Sequence, residues 1–414
     1  MSPEPPGGDG LPALADIRAA RELLGAESVR TPMEESRWLS GLAGGEVLLK
    51  AENLQRTGSF KFRGAYVRVA RLTPAERARG VVAASAGNHA QGVALSARLL
   101  GANATVFMPE GAQIPKVRAT RAYGADVRFH GRDLGEALVA ATEFASRTGA
   151  VLVHPYDHFD ILAGQGTCGL EILEQCPGVR TIMVATGGGG LVAGIALAVK
   201  SLVPEVKVVG VQAEGASSYL PSLAAGRPLP LKSMSTMADG IAVGCPGRLP
   251  FRAVQNLVDE IVTVSERSLS RALLMLLERA KLVVEPAGAA AVAALMDSPE
   301  SFETPAVVVL SGGNVDPVLL GKVIRQGMSA AGRHLSCRVR IPDTPGGLAT
   351  LLGVVAGCGA NVLDLAHDRG RPALGLDEVE VDIQLETRGA SHTLEILEGL
   401  GQRGYGVVSA DDSA

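Results

Sequence analysis

From residue 80 onward the chain alternates short apolar runs with longer stretches of helical spacing. Val81–Ala84, Ala104–Met108, Val127–Phe129 and Val151–Val153 read as strands, and His89–Leu100, Pro115–Tyr123 and Leu134–Arg147 between them as helices. Strands separated by helices predict parallel pairing, because a parallel pair needs a long crossover. The pattern resumes with strand Thr181–Ala185, a helix from Leu191, and strands Val206–Val211 and Ala306–Leu310. Most of these runs lack polar alternation, as strands covered by helices on both faces do. The first 330 residues therefore read as α/β, with room for two lobes and a cleft between them.

Near residue 330 the pattern changes. The small residues Gly327–Gly332 read as a linker. Beyond them Leu335, Cys337, Val339 and Ile341 alternate with Ser336, Arg338 and Arg340, a strand with one buried face. Thr344 as the cap and Pro345 at the first helical position predict a helix start, followed by helix Gly347–Ala356, strands Asn361–Ala366 and Glu378–Leu385, helix Ser391–Leu400 and strand Gly404–Val408. That order is βαββαβ, a ferredoxin-like unit. The acidic face of Glu378–Leu385 can complement Arg338 and Arg340 on a neighbouring strand. The boundaries are 1–325 for the α/β part (smaller lobe about 57–153), 326–334 for the linker and 335–414 for the tail.

Composition narrows the function classes. Hydrophobic residues are 47% and charged residues 20%, enough for a large core and too apolar for a mainly disordered chain. The net charge is -4 and aromatics are 3%, so neither phosphate neutralisation nor base stacking is supplied and no nucleic-acid partner is expected. Five scattered cysteines without a C-x-x-C predict neither a disulfide framework nor a zinc site. Met1 to Gly10 carry acids and prolines and no apolar stretch, so no signal peptide is expected. Thr181–Val199 is uncharged and long enough to span a bilayer, but four consecutive glycines at its centre suit a strand, loop and buried helix better. The expectation is a soluble, cytoplasmic protein in a reducing compartment, without a membrane partner.

Four stretches can carry chemistry. Thr186 to Leu191 places Gly187, Gly188, Gly189 and Gly190 between a buried strand and an apolar helix, where free N–H groups and the helix's positive end suit a phosphate. A plain strand-to-helix turn has the same pattern. Gly188, Gly190 and Ala193 also satisfy the G-x-G-x-x-A dinucleotide fingerprint, with Glu214 where a ribose-binding acid belongs, so an NAD-dependent oxidoreductase is the alternative. In Ser59–Gly64, Lys61 stands between Phe60 and Phe62; apolar surroundings favour a neutral amine able to form a Schiff base, although a helix lysine can also snorkel. Ser85 to Gly92 follows a strand where a helix begins and suits a carboxylate, or an ordinary cap. His89 alone reads as a hydrogen-bonded structural histidine. Ser311 to Asn314 follows strand Ala306–Leu310, at the strand end where α/β sheets bind ligands.

Together, in this order and spacing, the four stretches resemble fold-type II pyridoxal-phosphate enzymes. Glu52–Gln55, Thr57–Lys61, Ser85–His89 and Asp239–Val243 resemble the threonine dehydratase (threonine ammonia-lyase) family over residues 15 to 325. The tail is similar to an ACT regulatory domain. The fold so implied is a two-lobed catalytic domain of the tryptophan synthase β type, followed by an α+β ferredoxin-like ACT domain.

The resemblance implies roles. Lys61 holds pyridoxal phosphate and, once displaced, removes the Cα proton; Ser85 is counted with it as catalytic. Gly187, Gly188, Gly189, Gly190 and Leu191 bind the cofactor phosphate, Asn88 its ring hydroxyl and Ser311 its ring nitrogen, with Phe60 and Gly240 beside the ring. Ser85, Gly87, Asn88 and His89 embrace the substrate carboxylate. A hydroxyl at the ring nitrogen moderates the electron sink, which suits prompt loss of a β-hydroxyl. L-Threonine would give 2-oxobutanoate and ammonia, and L-serine pyruvate. An amino-acid effector on the tail, isoleucine being one candidate, and a homo-oligomer (dimer or tetramer) are also implied. Two departures stand out: Ala86 replaces the second serine of serine racemases, and Gln212 and Ser218 replace the group's divalent-metal carboxylates, so no metal site is predicted.

Overall fold

A computed structural model describes residues 10–370, 374–375 and 377–409, so all but Gly10 of the proline-bearing opening stretch lies outside the description. The chain divides into two compact units, Met1–Leu320 and Gly321–Ala414.

The first unit carries strands β1 (Met33–Glu35), β2 (Val47–Lys50), β3 (Val81–Ala84), β4 (Ala104–Met108), β5 (Asp126–Phe129), β6 (Val151–Leu152), β7 (Thr181–Ala185), β8 (Lys207–Ala213), β9 (Glu260–Val264) and β10 (Ala306–Val309). They form two sheets, ordered β5-β4-β3-β6 and β1-β2-β10-β7-β8-β9. All the pairings are parallel except β1 with β2. The apolar runs of the sequence fall on β3–β8 and β10 within a residue or two. β1, β2 and β9 lacked such a signal: β1 is Met-Glu-Glu, β2 ends on a lysine, and β9 is a half-exposed edge strand.

The uncharged stretch from Thr181 divides into β7, a glycine loop and helix Gly190–Leu202, buried from Gly190 to Val199. Among the described residues no helix is long and apolar enough to cross a membrane. Close crossings depend on glycine. A Cβ on Gly164 would lie 2.6 Å from Gly64 Cα, and one on Gly194 would lie 2.7 Å from the Gly166 nitrogen. Helix Phe159–Gln175 thus touches helices Lys61–Ala70 and Gly190–Leu202 backbone to backbone.

Beside the first crossing lies a fully buried ion cluster. Arg63 donates from Nε and Nη2 to Glu52 at 2.8 and 2.8 Å, and from Nη1 and Nη2 to Glu171 at 2.7 and 2.9 Å. Lys50 Nζ adds a 2.6 Å bond to Glu171, with Thr31 O and Gln175 as further acceptors. Burial alone would raise the Glu52 carboxyl, but the guanidinium overrides it and holds the pKa below its ordinary value. Two cations thus meet two carboxylates, and the dry site stays neutral.

The second unit has β11 (His334–Pro342), β12 (Asn361–Asp368), β13 (Glu378–Glu386) and β14 (Gly406–Ser409) in the order β12-β13-β11-β14, with helices Gly347–Gly357 and Ala390–Gln402. This is the expected ferredoxin-like order. Arg338 faces Asp382 and Arg340 faces Glu380 across β11 and β13, with ion-pair distances of 3.1 and 3.7 Å. Two expectations need correction. Thr344 does not cap its helix: Gly346 occupies the cap at φ 92°, and Pro345 stays outside. The small-residue linker is mostly helical, because Pro317–Ala330 runs unbroken through residues 326–330; Gln326, Met328 and Ala330 are good helix formers and carry the helix past Gly327 and Ser329.

Arg63→Met should lower the unfolding free energy by about 3–5 kcal/mol, because two buried carboxylates lose their shared partner. Urea unfolding followed by far-UV circular dichroism measures this, and a loss below about 1 kcal/mol would show that the cluster is not needed for stability.

Candidate active site

Parallel strands deliver their following loops to one edge of a sheet, and the two sheets here do so around one cavity. After β3 comes Ser85–Asn88, after β6 His154–Tyr156, after β7 the glycine run, and after β10 Ser311. Phe60, Lys61, Ser85, Ala86, Gly87, Asn88, His89, Gly187–Leu191, Gly240 and Ser311 all line this space of about 370 Å³. The residues that the pyridoxal-phosphate resemblance singled out are therefore at one place.

Lys61 is the first residue of its helix. Helix Asn88–Leu99 crosses it so closely that a Cβ on Gly92 would lie 3.2 Å from the Lys61 carbonyl carbon. Its Nζ donates to Pro155 O at 2.9 Å and lies 5.1 Å from the Phe60 ring centre. Burial lowers its pKa to about 8, opposed in part by the Glu285 carboxylate. Near neutrality a useful fraction of this amine is unprotonated and nucleophilic.

The glycine run lines the cavity, and its neighbours leave no room for side chains. A Cβ on Gly188 would lie 2.4 Å from the Tyr156 ring, and one on Gly189, at φ 93°, would lie 1.8 Å from the Tyr219 hydroxyl. The Thr186 N–H still donates to Val211 O, and the Ala193 N–H closes the first helical turn onto Gly189 O. The N–H groups between them stand at a helix start, where the helix itself supplies no acceptor. The arrangement suits a phosphate.

Two residues behave differently from a simple reading. The His89 imidazole meets Val153 O at 2.7 Å, and burial, reinforced by Lys61, pulls its pKa to about 3. The ring is neutral and committed, so it is a structural histidine, and only its backbone is free to serve a carboxylate. Glu214 is exposed at the end of β8 and outside the cavity, which leaves the dinucleotide alternative without its ribose acid.

The sequence reading missed Glu285, Tyr156 and Lys116 and gave Asp239, first residue of a quoted motif, no role; all four line the cavity. Glu285 is buried, and burial first, then Asp239, raise its carboxyl to about 7 against the pull of Lys116, Asn88 and Lys61. A signal existed: Glu285 directly precedes Pro286 at the start of an apolar helix, a cap position whose side chain makes no cap bond here. Lys116 pairs with Asp239, joining the helix after β4 to the turn that precedes helix Arg248–Leu257. Among the described residues no cluster of His, Cys, Asp and Glu could hold a metal ion.

Comparison with known proteins agrees with this geometry. The family model for pyridoxal-phosphate dependent enzymes matches residues 27–312. L-Threonine ammonia-lyase of Thermotoga maritima is 45% identical over 394 residues, covering 95% of this chain and 98% of that protein. The catabolic L-threonine dehydratase of Escherichia coli is 43% identical over 309 residues, covering 73% of this chain and 93% of that one. Processed threonine deaminase isoform 2 from Solanum lycopersicum superposes with a TM-score of 0.72 at 35% identity, over 76% of this chain and 92% of that chain. Maize serine racemase gives 0.72 at 33%, over 77% and 98%.

Acylation by an amine-directed reagent should show Lys61 half-reactive near pH 8, its neutral form growing as pH rises. Peptide mapping of the labelled protein reads this directly, and half-reaction near the ordinary lysine value of about 10.4 would mean that burial does not govern the amine.

Proposed function

The chain belongs to the pyridoxal-phosphate dependent enzymes, and within them we propose that it is a threonine ammonia-lyase, with the residues of this cavity in the roles below. It converts L-threonine to 2-oxobutanoate and ammonia. The observation that carries the reading is the convergence of a desolvated Lys61, the glycine N–H groups and Ser311 on one cavity.

The residues fit the cofactor. The glycine run offers donors to a phosphate, and an amine that burial holds near pH 8 is suited to its aldehyde. When bound, pyridoxal phosphate supplies an electron sink for the pair released at the substrate Cα. Lys61 would hold it through its amine and, with substrate bound, would take the Cα proton at Nζ. Gly187, Gly188, Gly189, Gly190 and Leu191 would hold its phosphate through backbone N–H groups. Asn88 would serve its ring oxygen and Ser311 its ring nitrogen, with Phe60 and Gly240 completing the cofactor-binding set. Ser85, Gly87, Asn88 and His89 hold the substrate carboxylate, His89 through its backbone. The Cα proton and the β-hydroxyl leave as water; the enamine released tautomerises to an imine, which takes up water to give 2-oxobutanoate and ammonia.

Several finer points belong to the same proposal. L-Serine is a secondary substrate giving pyruvate, since the same elimination requires only a β-hydroxyl. Ala86 lines the cavity without a hydroxyl, which disfavours reprotonation from the opposite face. The second unit is an ACT domain that binds an amino-acid effector and acts on a homo-oligomer in the cytoplasm. Supporting this, the Thermotoga relative matches nearly the whole chain, whereas the Escherichia relative matches about three quarters of it.

The purified protein should show a visible Schiff-base band that shifts when L-threonine is added, while 2-oxobutanoate accumulates. Lys61→Ala should abolish the covalent attachment and reduce turnover by at least about a thousandfold, as loss of a nucleophile and base does. An undiminished rate in that variant would remove Lys61 from the mechanism. With L-serine, chiral chromatography should find pyruvate and no D-serine.

A further inference from the structure

Asn88 is held on both sides by residues that the mechanism above does not use. Its Nδ2 donates to Glu285 Oε1 at 2.6 Å, and its Oδ1 accepts from Asn314 Nδ2 at 2.8 Å. Asn314 Nδ2 also donates to the Thr57 backbone oxygen at 2.6 Å. A backbone oxygen can only accept, so it fixes which end of Asn314 points to it. Asn314 must then present a donor to Asn88, and Asn88 must turn its own amide nitrogen to the carboxyl of Glu285. One Nδ2 hydrogen is committed there, and the second is left uncommitted in an amide that lines the cavity.

The surrounding backbone is built to permit this chain of contacts. Thr57 holds φ 60°, uncommon for a threonine, and Gly58 follows at φ 72°. A Cβ on Gly58 would lie 2.5 Å from Asn314 Oδ1. At the other end, a Cβ on Gly312 would lie 2.3 Å from Glu285 Oε1 and 3.1 Å from Asn88 Nδ2. The Glu285 N–H donates to Gly312 O at 3.0 Å, and the Gly313 N–H to Gly58 O at 2.9 Å, so three separate segments are stitched together around the Asn88 amide.

We infer that Glu285 and Asn314 are positioning residues which, starting from the Thr57 carbonyl, lock the Asn88 amide with a nitrogen hydrogen directed to the cofactor. This rests on the reading of the cavity as a pyridoxal-phosphate site. The relay works through one amide, so it predicts dependence: once Asn88 is removed, Glu285 and Asn314 no longer matter for the cofactor.

The test is equilibrium binding of pyridoxal phosphate to the full-length, cofactor-free protein, followed by visible absorbance, with thermal unfolding of each variant alongside. Asn88→Ala, Glu285→Met and Asn314→Asp should each weaken binding about tenfold, in line with loss of a hydrogen bond to a charged or buried group. Asn88→Ala combined with either of the others should stay near tenfold, whereas independent contributions would multiply to about a hundredfold. Glu285→Gln retains an acceptor for the Asn88 amide and should remain within about threefold of the natural chain. Multiplying losses, or singles with no effect in folded protein, overturn the relay while leaving the site reading intact. Failure of the unsubstituted protein to bind pyridoxal phosphate overturns the site reading, and the relay with it.

Discussion

The position of Lys61 depends on a guanidinium two residues further along the chain. Arg63 is fully buried and engages Glu52 and Glu171 at once, so the helix that begins with Lys61 is tied to the loop after β2 and to helix Phe159–Gln175. A charge in so dry a place is tolerated only with complete pairing, and complete pairing fixes geometry. The neighbouring Gly64–Gly164 crossing removes the side chains that would let the two helices slide. A flexible lysine is thereby given a rigid root.

The cavity then follows from parallel topology. β3 and β6 belong to one sheet, β7 and β10 to the other, and all four end where their loops line the same space. The antiparallel bridge between Ser59 and Gly312 closes the arrangement by joining the segment before Lys61 to the segment after Ser311. Burial does the electrostatic work. It weakens the proton on Lys61 and strengthens the proton on Glu285, drawing an ammonium and a carboxylic acid toward the same pH range. What the glycine run offers an anion is a backbone property, N–H groups at a helix start, and depends on no cationic side chain.

Much of this was legible in the chain. The buried parallel strands are uninterrupted apolar runs, and the glycines between β7 and its helix are consecutive, so periodicity and composition identify both. The tail's β13 alternates polar, mostly acidic, and apolar residues, which decides the face it buries and the arginines it meets on β11. Two edge strands of the larger sheet were not legible: β1 and β9 carry charges and partial exposure, and a strand with one neighbour needs no continuous apolar run. The Thr344 cap failed because chain reversal at Gly346 needs a positive φ, and a glycine two residues on supplies it at less cost than threonine can.

The sequence by itself singled out residues that meet at the cavity: Lys61 between two phenylalanines, the glycine tetrad, and the polar loops after apolar strands. Those are local facts, written in residue types and their immediate neighbours. Only the tertiary structure decided which long-range partners those residues have. Glu285 reaches Asn88 from 197 positions away, and Asn314 reaches it from 226. No local spacing encodes such contacts, because they arise where two sheets and three loops close on one another. Burial is likewise a property of the closed fold, and burial sets the protonation of Lys61, His89 and Glu285.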